Sequence, residues 1–371
     1  MRSPTRLLLI AATLLLPLVL GAQSLDLTID NTGLSIGDSR FVRGIRLNYR
    51  DWRMERVDGI NATIWTPYDP AKGEVNGLAL GLPATGARKI SGAGIGLFGV
   101  GATESFTGLG FGAFGIGAGG DVEGIVIGGF GAGAGGNVKG LSVGGFGVGA
   151  GGNVTGISIG GFGAGAGGDV KGLTVGGFGA GAGGDVTGIT IGGFGAGAGG
   201  NMTGFSAGVF GVGAGGNVTG ITIGGFGAGA GGNVKGLTLA VVGAGAGHDI
   251  TGITLAGVGA GAGHTLRGFA VGGVGVGAPN IRGIVIGGAA GGEDVRGGVI
   301  APVYFKVVDD GEVHGVTLSA FNHVKGDQFG LSLGLFNYAR DVHGMQIGVL
   351  NYAGNNRKGL RLLPIFNRDW R

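Results

Sequence analysis

Cysteine is absent from the 371 residues. That removes disulfides, thiolate metal sites and a lipidated N-terminal Cys. Proline is scarce at 8 residues and no G-X-Y period runs through the chain, so 99 glycines do not make a collagen. Charge is scarce too. From Phe114 to Gly268 there are nine charged side chains, of mixed sign, and the net charge of the chain is +3. A nucleic-acid footprint needs clustered Lys and Arg, and this pattern excludes one. Long apolar runs are missing after the first 22 residues, because glycine interrupts each of them. The one early run, Leu7 to Leu20, follows Arg2 and Arg6 and precedes the small residues Gly21 and Ala22. Residues 1–22 therefore read as a secretory signal cleaved before Gln23. A membrane anchor is the competing reading, but the run is short of the ~20 residues that span a bilayer.

What is present is a period. Asp169 to Gly184 reads DVKGLTVGGFGAGAGG, and Asp185 to Gly200 reads DVTGITIGGFGAGAGG. The column Phe98, Phe114, Phe130, Phe146, Phe162, Phe178, Phe194, Phe210 and Phe226 keeps a spacing of 16, and Val242, Val258 and Val274 continue it. A fixed period of this length signals stacked or arrayed units. With 43% hydrophobic residues at regular positions, burial is specified and disorder is not expected.

The flanks are looser. Residues 23–40 alternate apolar and polar and predict one or two cap strands. Residues 41–113 carry divergent copies of V-x-G-[IL], with turn-formers such as 68–73 inserted. Residues 114–292 form the regular array, and 293–371 return to shorter, more polar repeats with a C-terminal cap. An acidic stretch, Val308-Asp309-Asp310-Gly311-Glu312, reads as a protruding loop, and Trp370 is placed to close the last coil.

GLSLGLFNYA (330–339) and GMQIGVLNYA (344–353) carry a resemblance. They are similar to a bacterial surface-repeat family first named from spirochaete envelope proteins, with GLQIGLxN-type repeats. The match is clear over about 320–367, and glycine-shifted elsewhere, where GFGAGA stands in place of G-L-x-N-x-A. The resemblance implies an envelope or surface protein with no established activity. Members with a lipidated Cys differ from this chain.

The predicted fold is all-β: a β-solenoid of about twenty coils of 14–18 residues. Alternation along Val186–Gly200 puts Ile189 and Ile191 on one face and Thr190 on the other. Corners at Gly192-Gly193 and at Gly199-Gly200 would then turn the Ile, Phe and Ala columns inward, with positive φ at the second corner. Asn322, Asn337, Asn351 and Asn367 recur at one position and predict an amide ladder at a corner. The alternative is an antiparallel meander closed as an outer-membrane barrel. Against it, the array has no Trp or Tyr for interfacial girdles.

Candidate sites are few. The column Asp121, Asn137, Asn153, Asp169, Asp185, Asn201, Asn217, Asn233, Asp249 invites a calcium reading. Asn at most of these positions removes the charge calcium needs, and tolerance of left-handed turns is the better account. His248 and His264 stand 16 apart and should be neighbours about 5 Å apart, with no third ligand evident; His314 and His343 read as surface. The hydroxyl column Ser142, Ser158, Thr174, Thr190, Ser206, Thr222, Thr238, Thr254 is expected outward, where it would suit ice or a polymer surface or simply face water. Gly195, Gly197 and their equivalents leave a smooth face suited to self-association. Many accidental G-x-G-x-x-G strings lack the helix a dinucleotide site requires. Asp309, Asp310 and Glu312 read as a solvated loop. No catalytic, cofactor or metal residues are assigned. The expected protein is a non-enzymatic, exported repeat protein of the cell surface, outer membrane or periplasm, a rigid rod presenting a repetitive face to a glycan, a surface polymer, a protein or itself. No nucleic acid or small-molecule substrate is expected, and membrane insertion only if the chain is a barrel.

Overall fold

The protein is described by a computed structural model over residues 24–67 and 71–370. The expected signal segment 1–22 and residues 68–70 of the expected turn insertion lie outside the described residues. The chain is an all-β solenoid of about 19 turns with a 16-residue period. It divides into two compact units, residues 1–167 and 168–371, taken separately below.

In each unit, every regular coil contributes one seven-residue strand and one four-residue strand. In the first unit these are Val138–Gly144 and Gly147–Ala150. In the second they are Val186–Gly192 and Gly195–Ala198. Equivalent strands pair in parallel with no slip, as Val138 on Val154 and Val186 on Met202. Parallel pairing at a constant coil-length offset is a solenoid ladder; an antiparallel meander, and hence the barrel, is ruled out. Each end departs from the rule. Ser24–Ile29 pairs antiparallel with Thr32–Gly37, as the predicted cap strands. At the other end Leu362–Arg368 pairs antiparallel with Met345–Ala353. Trp370 is tied in there. Its backbone N–H donates to Asn356 Oδ1 (3.0 Å), its indole N–H donates to Asn367 Oδ1 (3.2 Å), and the Arg368 guanidinium lies 4.2 Å from its ring.

The Ala column lies inside as expected, but the two faces of the long strand are the reverse of those expected and the Phe column is outside. Val186, Thr190 (0% exposed), Ala196 and Ala198 point into the coil. Ile189 (43%), Ile191 (38%) and Phe194 (48%) point out. The reason is the width of the lumen. Where Phe106 takes a Val position inside, the adjoining column shrinks to Gly94 and Gly110. A Cβ on Gly94 would lie 2.8 Å from both Phe106 and Val100, and one on Gly110 would strike Ile116. Interior volume is thus held constant by trading a large residue in one column against glycine in the next. A lumen that fills with Val, Thr and two Ala has no room for two Ile and a Phe. The hydroxyl column is therefore interior, not outward, and at Ser142, Ser158, Thr174, Thr190 and Thr254 the hydroxyl has no hydrogen-bond partner.

The corners fall at 193–194 and 199–200, within a residue of those expected, but the positive φ does not fall on the second of them. The positive φ falls on the repeat glycine at the start of the long strand, 125° at Gly188 and 113–146° down the column from Gly33 to Gly330. From Gly44 onward a Cβ there would run into the carbonyl oxygen of the glycine one coil before. Only glycine meets both conditions. The Asp/Asn corner residues are not left-handed.

The stretch expected as an acidic loop is strand-paired instead, within the run Asn280–Val342 that winds through several coils. Asp310 makes a turn there at φ 61° and pairs with Arg340.

Candidate interaction face

Three outward surfaces follow from this coil. The first is polar. Thr187 and its equivalents point to solvent, and where charges occur they pair along the stack, as Lys139 Nζ with Glu123 (2.8 Å). The Glu123 carboxylate beside Lys139 holds its ammonium above the usual lysine value.

The second is the Asp/Asn corner, which forms a hydrogen-bonded column in each unit. Asn137 donates its backbone N–H to Asp121 Oδ1 (2.7 Å), and Asn153 does so to Asn137 Oδ1 (2.9 Å). In the second unit Asn201, Asn217 and Asn233 repeat the bond at 2.6–2.8 Å. Each side-chain oxygen caps the next coil, and Asp and Asn offer the same Oδ1 acceptor. That is why they interchange, and it replaces left-handed tolerance as the explanation of the column. One oxygen of each of these side chains is engaged by a backbone N–H group. His248 and His264 are neighbours as expected, with ring centroids 5.1 Å apart. Among the described residues no group of three or more His, Cys, Asp or Glu is placed to hold a metal. His314 and His343 are not simply exposed: they sandwich Phe329 at 4.3 and 4.6 Å, and His314 Nε2 lies 2.9 Å from Glu312.

The third surface is apolar. Ile189 and Ile191 form two parallel outward columns, and Phe194 stands at the corner beside them. In the first unit Phe114, Phe130, Phe146 and Phe162 stack nearly parallel at 4.9–5.1 Å. In the second, Phe178, Phe194 and Phe210 stack at 4.8 Å. Face-to-face stacking spends the π-faces within the ladder and turns ring edges outward. Beyond the Phe corner, Gly195 and Gly197 face out with no side chain. A Phe side chain carries roughly 150–250 Å², so one half-exposed Phe with two part-exposed branched residues leaves roughly 200 Å² of apolar surface per coil. A few coils exceed the ~300–600 Å² of the largest apolar patch on a typical monomer.

Sequence reasoning found these columns but placed them inside. The signal that would have placed them correctly is the size of their counterparts: Val, Thr and Ala fit a thin lumen and Ile with Phe do not. Compared with known proteins, the chain matches no family model, no curated protein and no solved structure.

Proposed function

We propose that this is a non-enzymatic repeat protein, exported to the bacterial cell surface or periplasm, that works by presenting its apolar outer face to a macromolecular partner. The observation that carries the reading is the exposure of the Ile/Phe columns over many consecutive coils. Exposed apolar surface of that extent marks an interaction site in a soluble protein. The signal-like residues 1–22 and the resemblance of 320–367 to envelope repeat proteins support the location. A glycan platform fits less well, because sugars pack on ring faces and here the ladder consumes them. Ice or polymer binding through Ser142 to Thr254 loses its basis, since those hydroxyls are buried.

The test is site-specific photocrosslinking in the producing cell. A photoreactive residue at Ile189 or Phe194 is expected to give discrete adducts, and one at Thr187 none. Equal labelling from both faces, or none from either, would sink the reading. Mature protein beginning at Gln23 in an envelope fraction is the expected location.

A further inference from the structure

We propose that the occupant of the apolar face is a second copy of this chain, paired through the Ile and Phe columns of the coils between Asp169 and His264. The inference rests on the interaction-face reading above and names its partner.

Area is the first argument. A stable dimer buries ~800 Å² on each partner. The coils of Ile189-Ile191-Phe194 and Ile221-Ile223-Phe226 carry roughly 200 Å² of apolar side chain each. The other four between Asp169 and His264 carry less, with Val in place of Phe or half-buried residues beside it, so most of the six coils together supply it. The face is therefore large enough to hold two copies together without any other contact.

Pitch is the second. Phe178, Phe194 and Phe210 repeat at 4.8 Å, the spacing of hydrogen-bonded strands. Ridges of one surface settle into grooves of another over many rows only when both have the same spacing. A second copy has it by construction, in either direction along the stack. A lipid surface has no such rows, and a face that rests on lipid is usually bordered by Trp, Tyr and basic residues. Between Asp169 and His264 there is no Trp or Tyr, and Lys171 and Lys235 are the only Lys or Arg.

The ground beside the ladder agrees. A Cβ on Gly195, Gly197, Gly213 or Gly245 would meet nothing closer than 3.5 Å. The fold itself leaves room for a methyl group at these four positions, although Gly181 does not. The bare ledge they form lets a partner's Phe ladder approach the backbone. In a two-fold pair each ladder rests on the other's ledge, so the same contact is made twice.

The test is sedimentation equilibrium of the mature full-length chain over a hundredfold concentration range, with the double variant Ile189→Lys/Ile221→Lys and the control Thr187→Lys/Thr219→Lys. Both pairs of side chains point outward, so the lumen is untouched, and circular dichroism checks the fold. The parent chain and the control are expected to reach twice the chain mass, with the Ile variant dissociating at least tenfold more readily. A monomer at all concentrations overturns the proposal, as does a dimer equally strong in the Ile variant. So does a monomer that cosediments with phosphatidylcholine vesicles and loses this in the Ile variant. If the photocrosslinking adducts contain a different macromolecule, self-pairing falls while the interaction face stands.

Discussion

Within the second unit, the array coils between Asp169 and His264 and the C-terminal coils between Tyr304 and Ala353 share one backbone scheme and dress it oppositely. In the array the short strand reads Gly195-Ala196-Gly197-Ala198, with alanine inside and glycine outside. In the C-terminal coils the same strand reads Phe336-Asn337-Tyr338-Ala339, paired in register with Leu350-Asn351-Tyr352-Ala353. The alanine column becomes a buried amide ladder. Asn322 donates to Asn337 Oδ1 and Asn337 to Asn351 Oδ1, both at 2.7 Å, and Asn367 adds a bond to the Asn351 carbonyl at 3.1 Å. One glycine column becomes stacked aromatics, with Tyr338 and Tyr352 5.0 Å apart, and the other becomes Phe336 beside Leu350. The fold therefore accepts large side chains on that outer wall. At positions such as Gly195 and Gly197, glycine in the array is a property of the face, not a demand of the coil.

Four experiments test the contrast. The largest effect is expected where the two regions agree. Gly188→Ala and Gly330→Ala each place a Cβ at positive φ against a backbone carbonyl, and each should cost about 3 kcal/mol, read as a shift in the urea midpoint. A clear difference between the two sites would mean that the corner is not shared.

Next is the amide ladder, which belongs to the C-terminal coils alone. Asn337→Ala removes the acceptor for Asn322 and the donor to Asn351, and stranding buried amides should cost roughly 2 kcal/mol or more. Hydrogen exchange should rise in 322–353 and stay level in the array.

Third is acid. Asp26 in the N-terminal cap accepts hydrogen bonds from Ser35 and Ser39, which hold its carboxyl below the usual range, with the Arg46 charge adding to the effect. A depressed carboxylate contributes stability that is present above the unfolded value near ~4 and lost as pH falls through the folded one. Amides of Ser24–Gly37 should therefore loosen below about pH 4, while the Asn322–Asn351 ladder, which has no titrating group, keeps its protection. Equal loosening at both ends would remove the assigned cause.

The smallest effect concerns the array's outer wall. A Cβ on Gly149 meets nothing within 4 Å, so Gly149→Ala should be neutral or stabilise by about 0.5–1 kcal/mol through the unfolded chain. A loss of thermal stability in the monomer would show that the wall is constrained from within.

Much of this was legible in the sequence. The period, the coil as unit, the cap strands 23–40, the His248–His264 contact and the Asn322–Asn337–Asn351 column all follow from spacing. The amide ladder lies inside the short strand and not at a corner, a detail that spacing does not reach. What alternation cannot supply is which of its two faces turns inward. Ile189 and Thr190 present the same period seen from either side, and the habit of burying the more apolar face gives the wrong answer. The thin lumen decides, and its width shows only in the trade of Phe106 against Gly94 and Gly110. The candidate face was missed for the same reason. At the N-terminal end the lumen carries charge: Arg46 is fully buried, paired with Asp38 and Asp51 and bonded to Asn61 Oδ1 at 2.8 Å. A buried guanidinium requires such partners, and they are scattered in sequence.

The corner column has one further consequence. Asp185 hands its side-chain oxygen to the amide of Asn201 as Asp169 does to Asp185, and any coil can receive what any other offers. Loss or duplication of one whole repeat at the level of the gene would leave every acceptor facing a donor. An array coil more or fewer between Asp121 and Asp249 would therefore leave the hydrogen-bonded column unbroken.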